Sequence, residues 1–183
     1  MARVQAAFAA VGGRARFTAW WNGAAADALL DEAHASIAER ALRVFQRRGW
    51  RTLAEVTFSE YGERGSIDVF ASYEQTRAVA VCEVKASFGS LEETNRMLDV
   101  KVRLAVQKLA KSNFGFQPRH VARLLIVPNE STIRRTVARH AATMDSIYPT
   151  RSRDVRAWLR QPSRSISGIW FVSYAANATR AQA

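Results

Sequence analysis

Three residues that could hold a metal ion or move a proton lie close together in the sequence: Asp68, Glu83 and Lys85. The last two follow the apolar run "AVAVC", which predicts a strand. They share one face of it, because strand side chains alternate between faces. Apolar residues on both faces of the run predict a central strand. The carboxylate and the amine are therefore expected to be partly buried, which is unfavourable without charged partners. The alternative interpretation is a pair of solvated charges at a sheet edge.

The preceding segment, "SIDVFAS", predicts a hairpin that places a second carboxylate beside the first. If residues 74–77 form the loop, Tyr73 pairs with Ala78, and the same antiparallel register places Asp68 opposite Glu83. Directly opposed side chains have Cβ atoms about 4.5–5.5 Å apart, so the two carboxylates would repel each other. A divalent cation bound through carboxylate oxygens would remove this repulsion. A slip of one residue in the register would instead move the aspartate to the other face.

Lys85 completes a set of side chains that could hydrolyse a phosphodiester. With a metal ion between the carboxylates, the lysine would orient or deprotonate a water molecule, or stabilise the charge that develops on phosphorus.

The charge of the chain favours a polyanionic partner. Its 183 residues include 27 Lys and Arg against 16 Asp and Glu, a formal net charge of +11, and most of the positive charge is arginine. Arginine binds phosphate through a planar, bidentate guanidinium, so this bias indicates nucleic acid above all. The alternative explanation is a genome whose base composition favours arginine and alanine codons.

The single cysteine, Cys82, excludes a disulfide within the chain and a cysteine-based zinc site. The first residues lack the uninterrupted apolar run of a signal peptide, and no run is long enough to span a bilayer. We therefore expect a cytoplasmic protein without a membrane partner.

Apolar periodicity predicts the element order β-α-β-β-β-α-β-α-β, which is an α/β fold. A strand in "RARFTAWW" precedes a helix that is capped by Asp27 or Asp31 and ended by Gly49, and the next three strands form an antiparallel meander. The later strands return through helices, so we expect a mixed sheet that has a hairpin at its centre, contains the meander and is flanked by helices.

The second half of the chain is predicted to continue this sheet. A long helix begins at Ser90, with Glu93 completing a capping box, and a buried strand that Pro128 stops comes next. The run "STIRRTVARHAATM" predicts one helix, and residues 146–165 predict an exposed loop with a short helix before the last strand.

The length fits a single domain, residues 1–183. We divide it into an N-terminal extension with the first strand (1–28), a core that carries the chemistry (29–127), and a C-terminal part with a helix, a basic loop and the final strand (128–183).

The residues that could do chemistry resemble those of a known family. Asp68 followed by Glu83-Val84-Lys85 is similar to the PD-(D/E)xK signature of the restriction-endonuclease-like superfamily, which includes restriction enzymes and Holliday-junction resolvases. The core of that superfamily is a helix, a three-stranded meander, a helix and a further strand, and it resembles the order predicted for residues 29–127. A narrower resemblance is to a nuclease-like domain of actinobacterial helix-turn-helix regulators, and it rests on "EVTFSEYGERGSIDVFA", "CEVK" and "LDVKVRLA".

This resemblance implies a role for each matching position. Asp68 and Glu83 would be ligands of Mg²⁺ or Mn²⁺, the backbone carbonyl of Val84 would be a third ligand, and Lys85 would be the catalytic lysine. The family often carries a glutamate on the preceding helix, for which Glu39 is the candidate, although the helix phase puts it on the polar side.

Several further residues are candidates for contacts with the nucleic-acid backbone. Some lie on the helix after the motif, one lies in the turn before it, and others give a later helix a basic face. They are Lys101, Arg103 and Gln107, then Arg64, and then Arg134, Arg135 and Arg139.

Other prominent side chains are expected to have ordinary structural roles. His34, His120 and His140 show no metal-ligand spacing and are expected at the surface or satisfied in the interior. Trp158 is expected to anchor a loop, the alternative being a stacking surface for a base of single-stranded nucleic acid.

The sequence therefore predicts a divalent-metal-dependent nuclease that hydrolyses DNA phosphodiester bonds, with duplex or branched DNA as its partner. Two alternatives stay open. One is a nuclease-fold module that binds DNA in a regulatory role without cleaving it, and the other is a protein–protein module whose basic surface meets an acidic partner. The sequence also leaves open whether the chain forms a homodimer, because many nucleases of this fold act as dimers.

Overall fold

The computed structural model describes residues 23–173, with side chains from Asp27 onward. The predicted strand "RARFTAWW" lies outside the described residues. The meander, the later strands and the helices between them all lie inside.

A mixed sheet of five strands forms the centre of the described chain, in the order β1-β2-β3-β4-β5. The first three strands are antiparallel neighbours, and β3, β4 and β5 are parallel, so the predicted α/β fold with a mixed sheet is confirmed. The bounds are β1 Arg51–Glu60, β2 Glu63–Tyr73, β3 Ala78–Val84, β4 His120–Pro128 and β5 Ile166–Val172.

Helices flank the sheet. The helix after β3 continues without a break from α2 through a π-helical segment, Ala105–Leu109, into α3, and the helices after β4 lead into β5. Their bounds are α1 Gly23–Gln46, α2 Leu91–Leu104, α3 Ala110–Phe114, α4 Ser131–Arg139, α5 Ala141–Ile147 and α6 Ser152–Trp158. Among the described residues, no helix is long and apolar enough to cross a membrane.

Strand β3 is buried along its whole length, as a central strand covered on both faces should be. The side chains of Ala80 and Cys82 lie in one core with residues of α1, and Val79 and Val81 lie in the other core with residues of α2. Cys82 is therefore a buried core residue that points away from the face of Glu83, as predicted.

Aromatic side chains reinforce the core beneath α1. The ring of Phe45 lies 5.3 Å from that of Trp50 and 6.0 Å from that of Trp170, both in edge-to-face geometry. The ring of Trp158 lies 5.3 Å from Trp50, and its indole N–H donates to the Arg164 carbonyl. Trp158 is buried, so its predicted role as a loop anchor is confirmed and base stacking on it is excluded.

Some predicted helix ends differ from the structure. Helix α1 begins at Gly23, so Asp27 and Asp31 lie inside it and neither caps it. The Ser90 cap is confirmed, since its hydroxyl accepts the N–H of Glu93 at 3.2 Å. The predicted single helix after β4 is two helices, because the backbone leaves helical geometry at His140 (φ −107°, ψ 28°).

The predicted hairpin register is confirmed as far as the ladder runs. Tyr73 pairs with Ala78, and the pairing of β2 with β3 continues to Val69 opposite Cys82. Beyond that point β2 pairs with β1 alone, so residues 56–67 form a two-stranded arm that extends past the end of β3. Asp68 therefore lies where the arm leaves the sheet.

Candidate functional site

The side chain of Asp68 is held at the point where β2 and β3 separate. The N–H of Lys85 donates to the carbonyl of Ile126 in β4, at 2.9 Å, so the N–H of Val84 points the other way, towards β2. The β2–β3 ladder has already ended, and the Asp68 carboxylate accepts this N–H through Oδ2 at 2.6 Å. The Val84 N–H therefore donates to the Asp68 side chain where a backbone carbonyl of β2 would otherwise accept it. This hydrogen bond fixes the orientation of the carboxylate.

Asp68 and Glu83 contact the same positive charge. The ammonium of Lys101, on α2, forms an ion pair with Glu83 Oε2, and its Nζ lies 3.5 Å from Asp68 Oδ1. All three residues are buried, with 8%, 5% and 5% of the surface of Asp68, Glu83 and Lys101 exposed. The two carboxylates therefore converge on one cation, the Lys101 ammonium, at the place where the sequence predicted a divalent metal ion.

Lys85 joins this group from the solvent side. Its Nζ lies 3.0 Å from Glu83 Oε1, and 37% of its side chain is exposed. The side chain borders a cavity of about 390 Å³ that Val84, Ser87 and Thr94 also line. We call Asp68, Glu83, Lys85 and Lys101 the carboxylate–lysine cluster.

Burial raises the pKa of the Asp68 carboxyl above its usual range, and the charge of Glu83 raises it further. The Lys101 ammonium, the Val84 N–H and His34 act in the opposite direction. Lys101 therefore offsets part of the effect that burial and the Glu83 charge have on the Asp68 carboxyl.

A second set of metal-type donors shares Asp68. The Nε2 of His34 lies 3.8 Å from Asp68 Oδ2 and 4.0 Å from Glu55 Oε1, and donor atoms of the three residues all lie within 4.8 Å of one another. Glu55 lies in β1 between the residues that pair with Val69 and Ile67, and its backbone is left-handed, φ 50°. This conformation is unusual for a residue with a side chain, and such conformations are concentrated at functional sites.

His34 was not predicted to lie at the site, although the sequence carries a signal for it. It precedes Ile37, Ala38 and Ala41 by three, four and seven residues, and these three are buried against the sheet. A histidine with that spacing is on the buried face of the helix.

Glu39 does not join either set of donors. It lies five residues after His34, which is about 140° further around the helix. There it is exposed and pairs with Arg43 through a contact of 2.8 Å. The helix contributes a histidine to the surroundings of Asp68, and the candidate glutamate points elsewhere.

The predicted nucleic-acid contacts do not gather at the cluster. Lys101 is buried against the two carboxylates and is not on an open surface. Arg103 pairs with Glu63 at the tip of the arm, while Arg64 and Gln107 are exposed. The remaining three, Arg134, Arg135 and Arg139, lie on α4 and are exposed.

A divalent cation fits the donors of this site. Asp68 and Glu83 offer carboxylate oxygens, the ligands that Mg²⁺ and Mn²⁺ prefer, and they already converge on one cation. No protein-family model matches the chain, and no curated protein matches it either. Its function must therefore be inferred from the geometry of the site.

Proposed function

We propose that the chain is a divalent-metal-dependent nuclease that hydrolyses DNA phosphodiester bonds, with Mg²⁺ or Mn²⁺ as the cofactor. The observation that carries this proposal is the convergence of Asp68 and Glu83, from two different strands, on one cation beside Lys85. Burying these charged side chains has a large desolvation cost, so a contribution to fold stability alone does not explain their presence.

The element order supports a restriction-endonuclease-like core. Helix α1, the meander β1–β3, helix α2 and strand β4 follow one another in the order that the PD-(D/E)xK resemblance implies. The aspartate of the pattern lies on β2, and the glutamate and lysine lie at the end of β3.

Each residue of the carboxylate–lysine cluster would have a separate role in hydrolysis. Asp68 and Glu83, with the carbonyl of Val84, would hold the metal ion, which when bound would stabilise negative charge on the phosphoryl oxygens. Lys85 faces the cavity and would orient the attacking water or donate to a phosphoryl oxygen. Lys101 would be a positioning residue, because its ammonium contacts both carboxylates and holds them on one cation.

The test is cleavage of supercoiled plasmid and of branched duplex DNA in Mg²⁺, in Mn²⁺ and in EDTA. We expect the wild type to cut in either metal and not in EDTA. The variants Asp68→Asn, Glu83→Gln and Lys85→Ala should cut at least about 100-fold more slowly, because each removes a group that holds the metal or contacts the reacting phosphate.

The matched control is Asp145→Asn. This substitution also removes one carboxylate charge, but Asp145 lies on the surface of α5, where it pairs with Arg151. It should cut like the wild type. A wild type that cuts in neither metal, or a control that loses as much activity as the site variants, would overturn the proposal.

The second candidate function is a DNA-binding module of the same fold that does not cleave. Lys101 is the observation that favours it, because an internal ammonium already neutralises the two carboxylates without a metal. This candidate predicts DNA binding that is equal in Mg²⁺ and in EDTA. It also predicts no rise of the thermal unfolding midpoint with metal, whereas a metal that binds only the folded state raises that midpoint.

A further inference from the structure

A second cavity, of about 300 Å³, lies where α1 ends and where β4 and β5 finish. Four arginines line it, from the second half of α1 and the turn after it, from α4 and from α6. We call this group, Arg40, Arg48, Arg134 and Arg156, the arginine cavity.

The described residues leave the charge of the arginine cavity without a carboxylate partner. Within residues 27–173, no aspartate or glutamate lines it, and none of its four arginines forms an ion pair with a carboxylate. Burial lowers the pKa of Arg48, and the nearby charges of Arg160 and Arg156 lower it further. Like charges are therefore held together here without a carboxylate among the described residues, and an anionic ligand would relieve their repulsion.

Part of the cavity is fixed in place before any ligand arrives. Arg134 lies over the ring of Phe171, 4.4 Å from its centroid, and its Nε donates to Asn129 Oδ1 at 2.7 Å. A guanidinium has five N–H donors, so this contact leaves several of them for a ligand. A planar guanidinium fixed by stacking suits bidentate binding of a phosphate.

The cavity opens on the same edge of the sheet as the carboxylate–lysine cluster. Parallel strands end at one edge, where Val84 ends β3, Pro128 ends β4 and Val172 ends β5. Two strand spacings separate β3 from β5, which is about 10 Å. A nucleic-acid strand rises about 3.4 Å per nucleotide, so it crosses that distance in about three nucleotides.

We propose that the arginine cavity binds a phosphate group of a nucleic-acid strand, at a point separate from the carboxylate–lysine cluster. The inference shares its nucleic-acid partner with the proposed function, but it does not require cleavage. Binding is therefore measured in EDTA, where a failure of the nuclease proposal leaves the result unchanged.

The experiment compares two double variants by fluorescence anisotropy of a labelled duplex over a range of salt concentrations. Arg48→Gln with Arg156→Gln removes two charges from the cavity. Arg47→Gln with Arg153→Gln removes two charges from the same turn and the same helix, at exposed positions that do not line the cavity.

We expect the cavity variant to bind about tenfold more weakly than the control variant, because hydrogen bonds from charged donors are each worth roughly that factor. Its slope of log affinity against log salt should also be smaller by about one, the release expected for one phosphate contact. Equal losses in the two variants would mean that the charge acts diffusely, and the proposal would be overturned.

A second arm separates the sources of phosphate. If inorganic phosphate raises the unfolding midpoint of the wild type while duplex binding is equal in the two double variants, the cavity is a site for small anions and the proposal fails. Should the cavity variant not fold, the exposed Arg134→Gln substitution replaces it, with Arg47→Gln as control and the same expected difference.

Discussion

The carboxylate–lysine cluster and the arginine cavity lie at one edge of the sheet and handle charge in opposite ways. In the cluster, two carboxylates and two lysines neutralise one another, and three of the four side chains are buried. In the arginine cavity, no described carboxylate lies within ion-pair distance of any of the four cations. Two of them, Arg134 and Arg156, are exposed, and the other two are half-buried.

This difference indicates what each region needs from outside. The cluster is complete as a charge arrangement, so a ligand there must displace or rearrange something, as a metal ion would on meeting Lys101. The arginine cavity has no carboxylate among its described lining residues, so an anion adds favourable contacts without displacing one of them. The comparison can be tested through stability, apart from any activity.

The largest effect is expected from Lys101→Met. It leaves two buried carboxylates without their shared cation, and removing one partner of a buried ion pair costs about 3–5 kcal/mol. Urea unfolding in EDTA measures this loss. Addition of Mg²⁺ should restore part of the stability, because a metal ion would take the place of the ammonium.

Lys108→Met is the control for that experiment. Lys108 also pairs with a glutamate, Glu60, at 2.6 Å, but on the surface, where solvent screens the pair. Its loss should change the unfolding free energy much less. A similar change in both variants would contradict the view that Lys101 supplies the charge balance of the cluster.

A double-mutant cycle of Glu83 and Lys101 sharpens the same point. Glu83→Gln should destabilise the wild type, since Lys101 then loses its closest partner, but it should cost less in the Lys101→Met background. We expect a coupling of about 1–3 kcal/mol, the range for contacting residues of one charge network. Additive losses across the four proteins would show that the two side chains do not act as a unit.

The sequence predicted one half of the cluster well. The strand period of two and the four-residue loop fix the register from Tyr73–Ala78 to Val69–Cys82. Continuing this register by one residue predicted that Asp68 lies close to Glu83. The central position of β3 followed from apolar residues on both of its faces.

The place of Lys101 in the cluster was harder to predict. Lys85 was predicted as the catalytic lysine, whereas Lys101 was predicted to contact the nucleic-acid backbone and not the carboxylates. Lys101 lies on the buried stripe of α2 with Leu98 and Leu104, yet a lysine is ordinarily solvated, so the stripe alone did not identify it as buried. The arginine cavity was harder still, since its four arginines come from distant parts of the sequence and meet only through the sheet topology.

A moderate effect is expected at Glu55, whose left-handed backbone has no counterpart among the described residues of the arginine cavity. Glycine adopts this conformation freely and alanine does not, so Glu55→Gly should be more stable than Glu55→Ala by about 1 kcal/mol. Urea unfolding of the two variants checks this. At ordinary strand positions an alanine variant is more stable than a glycine variant. If Glu55→Ala is as stable as Glu55→Gly or more stable, the backbone at Glu55 is not strained.

The smallest effect is expected from Arg48→Gln. Removing one of several crowded positive charges should stabilise the chain slightly, by less than about 0.5 kcal/mol, because solvent screens much of the repulsion. The sign of the stability change is informative, because Arg48→Gln should stabilise the chain whereas Lys101→Met in the cluster should destabilise it. Thermal unfolding at low and high salt measures this change in stability, with Arg47→Gln as control.

Salt should reduce the difference in stability between wild type and Arg48→Gln, because added ions screen the same repulsion that the substitution removes. A destabilised variant at low salt would mean that the hydrogen bond from Arg48 to the Val44 carbonyl, at 3.4 Å, outweighs the repulsion, and the contrast between the two regions would disappear.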